Sequence, residues 1–269
     1  MILVAGHYCH DTLIGNAGST EALGGSAAYA SAILDGLAEP HAVIAKVGSD
    51  FRYRAQVSHQ PAVVAGRTTA FVDDYRAGER RQRVEAVAPP IEPFELEGRF
   101  ELGIACAVAG ELPLRTLLRM RELCGLLLAD AQALLRAISA SGELTLQPAD
   151  PAALEALDCL KASRHEAALL DVNALRQRMT LLITDGARGC DVLGRDLEAH
   201  VPAFPAEEKD PTGAGDCFLA GFAAGLLRGK NPVRAARAGA YCGARAVEQV
   251  GVPRLTPAQA SAARALASG

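Results

Sequence analysis

Short apolar runs alternate with longer stretches of helical spacing along most of the chain. Ile2-Leu3-Val4-Ala5 reads as a first strand, and a glycine-containing loop leads from it to residues 27–37, where small and apolar side chains recur at helical spacing. The run Ala42-Val43-Ile44-Ala45 then completes a strand, helix, strand unit, which is the pattern of a parallel sheet. Gly24-Gly25 stands just ahead of the predicted helix, where a ligand can approach the backbone closely. Over about 60–88 the character changes. Thr68-Thr69-Ala70-Phe71-Val72 has the composition of a strand and a charged segment follows, so a small β-rich appendage is predicted there. After Pro89-Pro90 the alternation resumes, with apolar runs at 102–108 and 126–129 around an amphipathic helix at 114–123, and further runs ending at Leu160 and Thr184. From Gly213 onward two Ala-rich helical stretches and a shorter last one close the chain. The fold class predicted is α/β: one domain with a mostly parallel central sheet flanked by helices, and a small β lid contributed mainly by about 60–88.

Composition narrows the partners. Of 269 residues 50% are hydrophobic and 22% charged, enough to bury a large core, and 27 basic against 31 acidic side chains leave a net charge of −4. That balance presents no broad cationic face, so neither nucleic acid nor a membrane surface is an expected partner. The seven cysteines, at 9, 106, 124, 159, 190, 217 and 242, are widely spaced and read as buried thiols of a reducing compartment. No charged leader precedes a long apolar run and no apolar stretch spans a bilayer, so a cytoplasmic protein is expected.

The sharpest segment is Asp210-Pro211-Thr212-Gly213-Ala214-Gly215-Asp216, followed at once by the helical run Cys217–Phe222. A glycine-rich turn feeding a helix offers the N–H groups of Gly213, Ala214 and Gly215 to an anion such as a phosphoryl group. Asp216 in the first turn is placed to accept a proton from an attacking hydroxyl. The plainer reading is a helix start in which Asp216 complements the helix dipole, and the string alone leaves both open.

That segment resembles the C-terminal signature of the ribokinase-like (PfkB) carbohydrate kinases. Gly24-Gly25, Val47-Gly48-Ser49-Asp50, Thr68-Thr69, Leu160-Lys161 with Glu166, and Thr184-Asp185-Gly186-Ala187-Arg188-Gly189 stand in the order of that family. Residues 6–11, Val108-Ala109-Gly110-Glu111, residues 130–134 and Leu160-Lys161-Ala162-Ser163 resemble its plant-type myo-inositol kinase branch more narrowly. The resemblance implies a ribokinase-like fold, ATP and Mg²⁺ as cofactors, and a small polyol, foremost myo-inositol, as substrate. It makes Asp216 the catalytic base and Gly213, Ala214 and Gly215 the anion hole around the transferred phosphoryl. It sets Thr184, Gly186, Gly189 and Ala240 along the nucleotide, with Ser163 and Glu166 in the place of an Asn-x-x-Glu motif near Mg²⁺. Ser163 departs from the family's Asn and shortens that arm, while Glu166 keeps a carboxylate able to hold Mg²⁺ through water. Asp210 and Thr212 match positions that bind a monovalent cation such as K⁺ in relatives. Asp11 takes the place of an acid that accepts substrate hydroxyls, with Gly24 and Gly25 packing on the substrate. The lid excludes water, and its exposed strand edges are where two chains can pair as a homodimer. A second departure is the short span between Asp50 and Thr68, which bears on the lid hinge.

Several features carry plainer readings. His7, Cys9 and His10 follow a strand and are expected to pack or line a cleft and not to bind metal. Residues 221–225 suggest close helix packing, and Gly229-Lys230-Asn231 a helix end. Arg76, Arg80, Arg81 and Arg83 lie among Asp73, Asp74 and Glu79 and read as solvated surface. Lys161 and Arg188 are candidates for phosphate contacts, and Glu111, Asp130 and Gln132 are second-rank substrate candidates at the sheet's carboxyl edge. Two rival functions remain at this stage: a sugar or nucleoside kinase of the same family, and a non-catalytic binding or scaffold protein, to which Ser163 lends some weight.

Overall fold

The computed structural model describes residues 1–269 except 17, 77–80, 140 and 269, so the predicted surface role of Glu79 and Arg80 lies outside the described residues. In chain order, β1 (Ile2–Ala5) is followed by β2 (Cys9–Gly15), β3 (Gly18–Gly24), α1 (Ser26–Gly36), β4 (His41–Ile44), β5 (Lys46–Gly48) and β6 (Ala62–Val64). Next come β7 (Thr69–Asp74), β8 (Arg81–Ala86), β9 (Phe100–Ala105), α2 (Leu114–Leu123), β10 (Cys124–Asp130), α3 (Gln132–Leu135), β11 (Arg136–Ile138) and β12 (Leu144–Leu146). The chain continues through α4 (Pro151–Glu155), β13 (Cys159–Ser163), α5 (Arg164–Ala167), α6 (Val172–Leu175), β14 (Thr180–Thr184), β15 (Cys190–Gly194) and β16 (Leu197–Val201). It ends with α7 (Ala214–Gly229), α8 (Pro232–Val247) and α9 (Pro257–Ser268).

The central sheet has eight strands in the order β16-β15-β14-β13-β10-β9-β1-β4. β4 through β14 run parallel, and β15 and β16 add an antiparallel edge. Each central strand is apolar on both sides, and the two-residue period sorts its side chains into two cores. Ile2, Val4, Leu102, Ile104 and Leu128 pack with α1, α7 and α8, whereas Leu3, Ala5, Ala105, Leu127 and Ala129 pack with α2 and α4 on the opposite face. The expected strand and helix runs correspond to β1, α1, β4, β9, α2, β10, β13, β14 and the three closing helices.

A second sheet, β3-β2-β7-β8, stands apart from the first. The strands expected at 60–88 are present in it as β7 and β8, but half of the sheet comes from residues 9–24, where the sequence pattern predicts a loop. β2 pairs antiparallel with the neighbouring β3 and parallel with β7, and the second of these partners is distant in sequence, so local alternation gives no sign of it. Asp73, expected on a solvated surface, is fully buried. The short span between β5 and β7 is closed by Asp50, whose carboxylate accepts the Thr68 N–H at 2.8 Å and the Thr68 hydroxyl at 2.7 Å. The Thr68 hydroxyl oxygen in turn accepts the Gly48 N–H at 3.0 Å. The family-like strings around 48–50 and 68 therefore meet at one hydrogen-bonded junction. All seven cysteines are buried and unpaired.

Close helix packing is visible between α7 and α8, where a Cβ on Gly221 would stand 2.7 Å from Cys242 Sγ. Gly221→Val is expected to lower unfolding stability by about 1–3 kcal/mol through overpacking of this contact. Urea denaturation followed by circular dichroism measures it, and an unchanged midpoint would contradict the packing described.

Candidate functional site

The carboxyl ends of the parallel strands and the second sheet enclose a cavity of about 190 Å³. Its floor is the start of α7. Gly213 caps that helix in a left-handed conformation, φ 74°, and a Cβ there would run into the ring of Tyr29, so the turn depends on glycine. The Ala214 N–H, expected to be free, reaches the Pro211 carbonyl at 3.3 Å. The N–H groups of Gly213 and Gly215 meet no acceptor among the described residues and keep the anion-binding capacity of a helix start. Asp210 stabilises the approach to this turn, accepting the Thr212 N–H at 2.9 Å through one oxygen and the Gly251 N–H at 3.0 Å through the other.

Asp216 lines the cavity and accepts a hydrogen bond from Gln132 Nε2 at 3.1 Å. Gln132 also donates to the Ser26 hydroxyl oxygen at 2.9 Å, which ties the starts of α1 and α7 to α3. Beneath Asp216 lies a buried ion pair between Lys161 and Asp130. The parallel register of β10 and β13 sets Asp130 directly opposite Lys161, so the pair is a product of strand alignment. Burial raises the pKa of Asp216 and the charge of Asp130 adds to it, while Lys161, Ser26 and Arg136 oppose them; the result is a carboxyl pushed up to about 6. Burial works against the charge of Lys161, but the Asp130 and Asp216 carboxylates outweigh it and hold its pKa above the ordinary value.

The second sheet supplies the opposite wall. Asp11 on β2, Phe71 on β7 and Gln82 on β8 all face the cavity, and Asp11 and Phe71 are register partners. A Cβ on Gly24 would collide with the Asp11 carboxylate, so glycine at that position leaves the acid its place. Gly25 caps α1 and lines the cavity beside Ser26. Tyr75, just after β7, approaches the Thr212 hydroxyl at 3.4 Å and so joins this sheet to the glycine turn.

The structure thus brings Asp11, Gly25, Thr212, Gly213, Gly215 and Asp216 to one cavity, together with Asp130, Gln132 and Lys161. The remaining sequence candidates lie elsewhere. Ser163 caps α5: its N–H and hydroxyl each donate to Glu166 Oε2 at 2.8 Å. Thr184 ends β14 opposite Ser163, and Gly186 and Gly189 shape the turn after it, so these residues continue the same sheet edge beyond the cavity. Arg188 there is paired with Asp185. Ala240 is buried in α8. Glu111 is a backbone anchor, accepting the N–H groups of His7, Val108 and Ala109. His7 is buried against Thr69, and His10 stacks on Phe51 at 5.7 Å between ring centres, in keeping with packing roles. Tyr29, Gln82 and Arg136 line the cavity without having been singled out. Tyr29 follows the Gly25 cap by one turn and Arg136 follows the Asp130 strand end, which are the available signals; Gln82 has none.

A family model described as "pfkB family carbohydrate kinase" matches residues 102–259. The inositol 3-kinase of Zea mays is 41% identical over 280 residues, covering 95% of this chain and 74% of the maize protein. That of Arabidopsis thaliana is 36% identical over 269 residues, covering 94% and 75%. Among solved structures, a pyrophosphate-dependent myo-inositol-1 kinase converted into a myo-inositol-3 kinase superposes with a TM-score of 0.81 at 20% identity, over 98% of this chain and 99% of that one. The ribokinase of Thermotoga maritima gives 0.76 at 18% identity, over 98% of each chain. At those identities the solved structures speak for the fold, which is ribokinase-like. With the glycine turn, its aspartate and the parallel-sheet edge in place, and with the family model and the plant relatives covering the chain as they do, this protein belongs to the PfkB carbohydrate kinase family.

Proposed function

We propose that this kinase transfers the terminal phosphoryl group of a nucleotide, ATP, to a hydroxyl of a small polyol, myo-inositol. The observation that carries the reading is the meeting, in one small cavity, of a glycine helix start, a carboxylate of raised basicity and a second acid on the opposite wall. The identity shared with plant inositol 3-kinases supports the choice of polyol. A cavity of about 190 Å³ is below the range of about 300–1,000 Å³ that encloses drug-sized ligands. It suits a compact ring and the reacting phosphoryl, with the rest of the donor extending along the sheet edge past Ser163 towards Thr184, Gly186, Gly189 and Ala240.

Asp11 accepts hydrogen bonds from the polyol and Gly25 allows its ring to lie on backbone. Asp216 takes the proton of the attacking hydroxyl as the oxygen bonds to phosphorus and the bond from phosphorus to the bridging oxygen breaks, releasing ADP. A pKa of about 6 leaves this carboxylate ionised at neutral pH yet more basic than an ordinary aspartate. The free N–H groups of Gly213 and Gly215 and the ammonium of Lys161 face the transferring group and compensate its charge. Glu166 keeps one oxygen outside its helix-capping bonds, which suits a water-mediated hold on Mg²⁺. When bound, that ion neutralises donor phosphate charge. Asp210 and Thr212 are the residues to examine for K⁺ dependence, although both Asp210 oxygens already serve the loop. The second sheet acts as the lid that keeps water from competing with the alcohol.

Release of ADP across inositol isomers, fructose, ribose and adenosine tests the reading. Myo-inositol is expected to give the highest kcat/KM, and preference for a sugar or nucleoside would overturn the choice of polyol. Asp216→Asn is expected to lower kcat by about 10²–10⁴ with the fold intact by circular dichroism; full activity in that variant would remove Asp216 as the base. The same substitution is expected to raise the unfolding midpoint above pH 6. The folded-state pKa of about 6 exceeds the ordinary 3.8, so ionisation costs stability that is absent when the proton is bound in both states. The advantage should fade as pH falls from 6 towards 3.8.

The acid limb of kcat/KM is expected near pH 6, where Asp216 takes up its proton. Asp130→Asn removes the repelling charge and frees Lys161 to attract Asp216, so the limb should move to lower pH by about 1 unit. A limb that stays in place would show that another group controls it.

A further inference from the structure

Away from the reaction cavity, three side chains of metal-ligating chemistry converge where the end of α1 meets the start of β4 and the segment before β6. Asp35, His41 and His59 each place a ligand atom within 4.8 Å of the others. The His41 side chain is only 3% exposed, whereas His59 is half-buried and Asp35 exposed. His41 Nδ1 lies 2.8 Å from the Glu39 carbonyl oxygen. A carbonyl only accepts, so Nδ1 carries the proton and the lone pair of the neutral ring sits on Nε2. An imidazole held in this way through Nδ1 is oriented as metal-ligating histidines are. Its Nε2 stands 3.8 Å from Asp35 Oδ1, and the ring centres of His41 and His59 are 4.4 Å apart and tilted by 49°.

The surroundings hold these groups in position. The His59 carbonyl accepts the Tyr8 hydroxyl at 3.0 Å, which anchors its segment. The second Asp35 oxygen accepts the Ser58 hydroxyl, leaving Oδ1 turned towards the histidines. Glu39 is engaged by Arg228 at 2.8 Å. The Ser31 hydroxyl lies 3.0 Å from His41 Nε2, and a metal bond at that nitrogen would take the place of this hydrogen bond.

We propose that Asp35, His41 and His59 form a binding site for a divalent transition metal of the zinc class, with two imidazole nitrogens, one carboxylate oxygen and a fourth position for water. Zinc–ligand distances of about 2.0–2.2 Å require the three groups to draw together by about 1 Å, which the exposed Asp35 can supply. Nitrogen donors favour such an ion over Mg²⁺, which prefers oxygen, so this site does not compete for the metal that accompanies a nucleotide. Bound metal ties the last turn of α1 to β4, while the first turn of the same helix carries Ser26 and Tyr29 of the reaction cavity.

The full-length protein, reduced and stripped with a chelator, is titrated with Co²⁺. Visible d–d absorption should saturate at one equivalent, be displaced by Zn²⁺ and persist in excess Mg²⁺. His59→Gln and Asp35→Asn should each weaken binding by at least the factor of about 10–100 that loss of an outer-sphere partner costs, and His59→Gln should leave kinase turnover without added transition metal unchanged. Absence of the d–d band, a thiolate-to-cobalt charge-transfer band in its place, or wild-type affinity in both variants would overturn the site.

Discussion

At the carboxyl edge of the central sheet two carboxylates, Asp130 and Asp216, share one ammonium, Lys161. Each of these charges would cost several kcal/mol to bury alone, and together they leave one negative charge uncompensated. Burial, and then the charge of Asp130, raise the basicity of Asp216. In the proposed reaction the alcohol proton neutralises it as the phosphoryl group moves, so the electrostatic state that burdens the folded protein is relieved by that step. Lys161 answers to both partners. It neutralises Asp130 across the β10–β13 register and tempers Asp216, and it still presents a cation beneath the glycine turn.

The rest of the molecule holds that edge open on one side only. Two apolar cores fix the faces of the sheet, and the close approach of α7 to α8 at Gly221 sets where α7 begins. The second sheet closes from above, carrying Asp11, Phe71 and Gln82, and is joined to the body through Asp50, Thr68 and Gly48. These hydrogen bonds hold the second sheet to the body although the span between β5 and β7 is short.

Much of this arrangement was legible in local pattern. The apolar runs gave the parallel strands because such strands are buried on both faces, and Gly213 to Asp216 announced a helix start suited to anions. Long-range pairing was not legible. Residues 9–15 contain Cys9, His10, Asp11 and Thr12 in succession, without alternation, and become a strand through pairing with β3 on one side and the distant β7 on the other. Ser163 and Glu166 show the opposite case. Their spacing is that of a capping box, and the structure uses it as one, so a string compared with a nucleotide motif also carries a plain local function. Gln82 and Arg136 reach the cavity through the folding of separate segments that no sequence spacing encodes.

The size of the cavity divides the work of recognition. A space of about 190 Å³ is enough for the reacting groups, and within it Asp216 cannot distinguish an alcohol from water by basicity. In the proposed reaction discrimination therefore comes from occupancy: the polyol fills the volume that water would otherwise hold, with its ring against Gly25 and its hydroxyls on Asp11. The second sheet places Asp11 and Gln82 in the same small space as the glycine turn, and the Tyr75–Thr212 contact joins that sheet to the helix start. In the proposed reaction substrate identity and protection of the donor are thus two consequences of one enclosure.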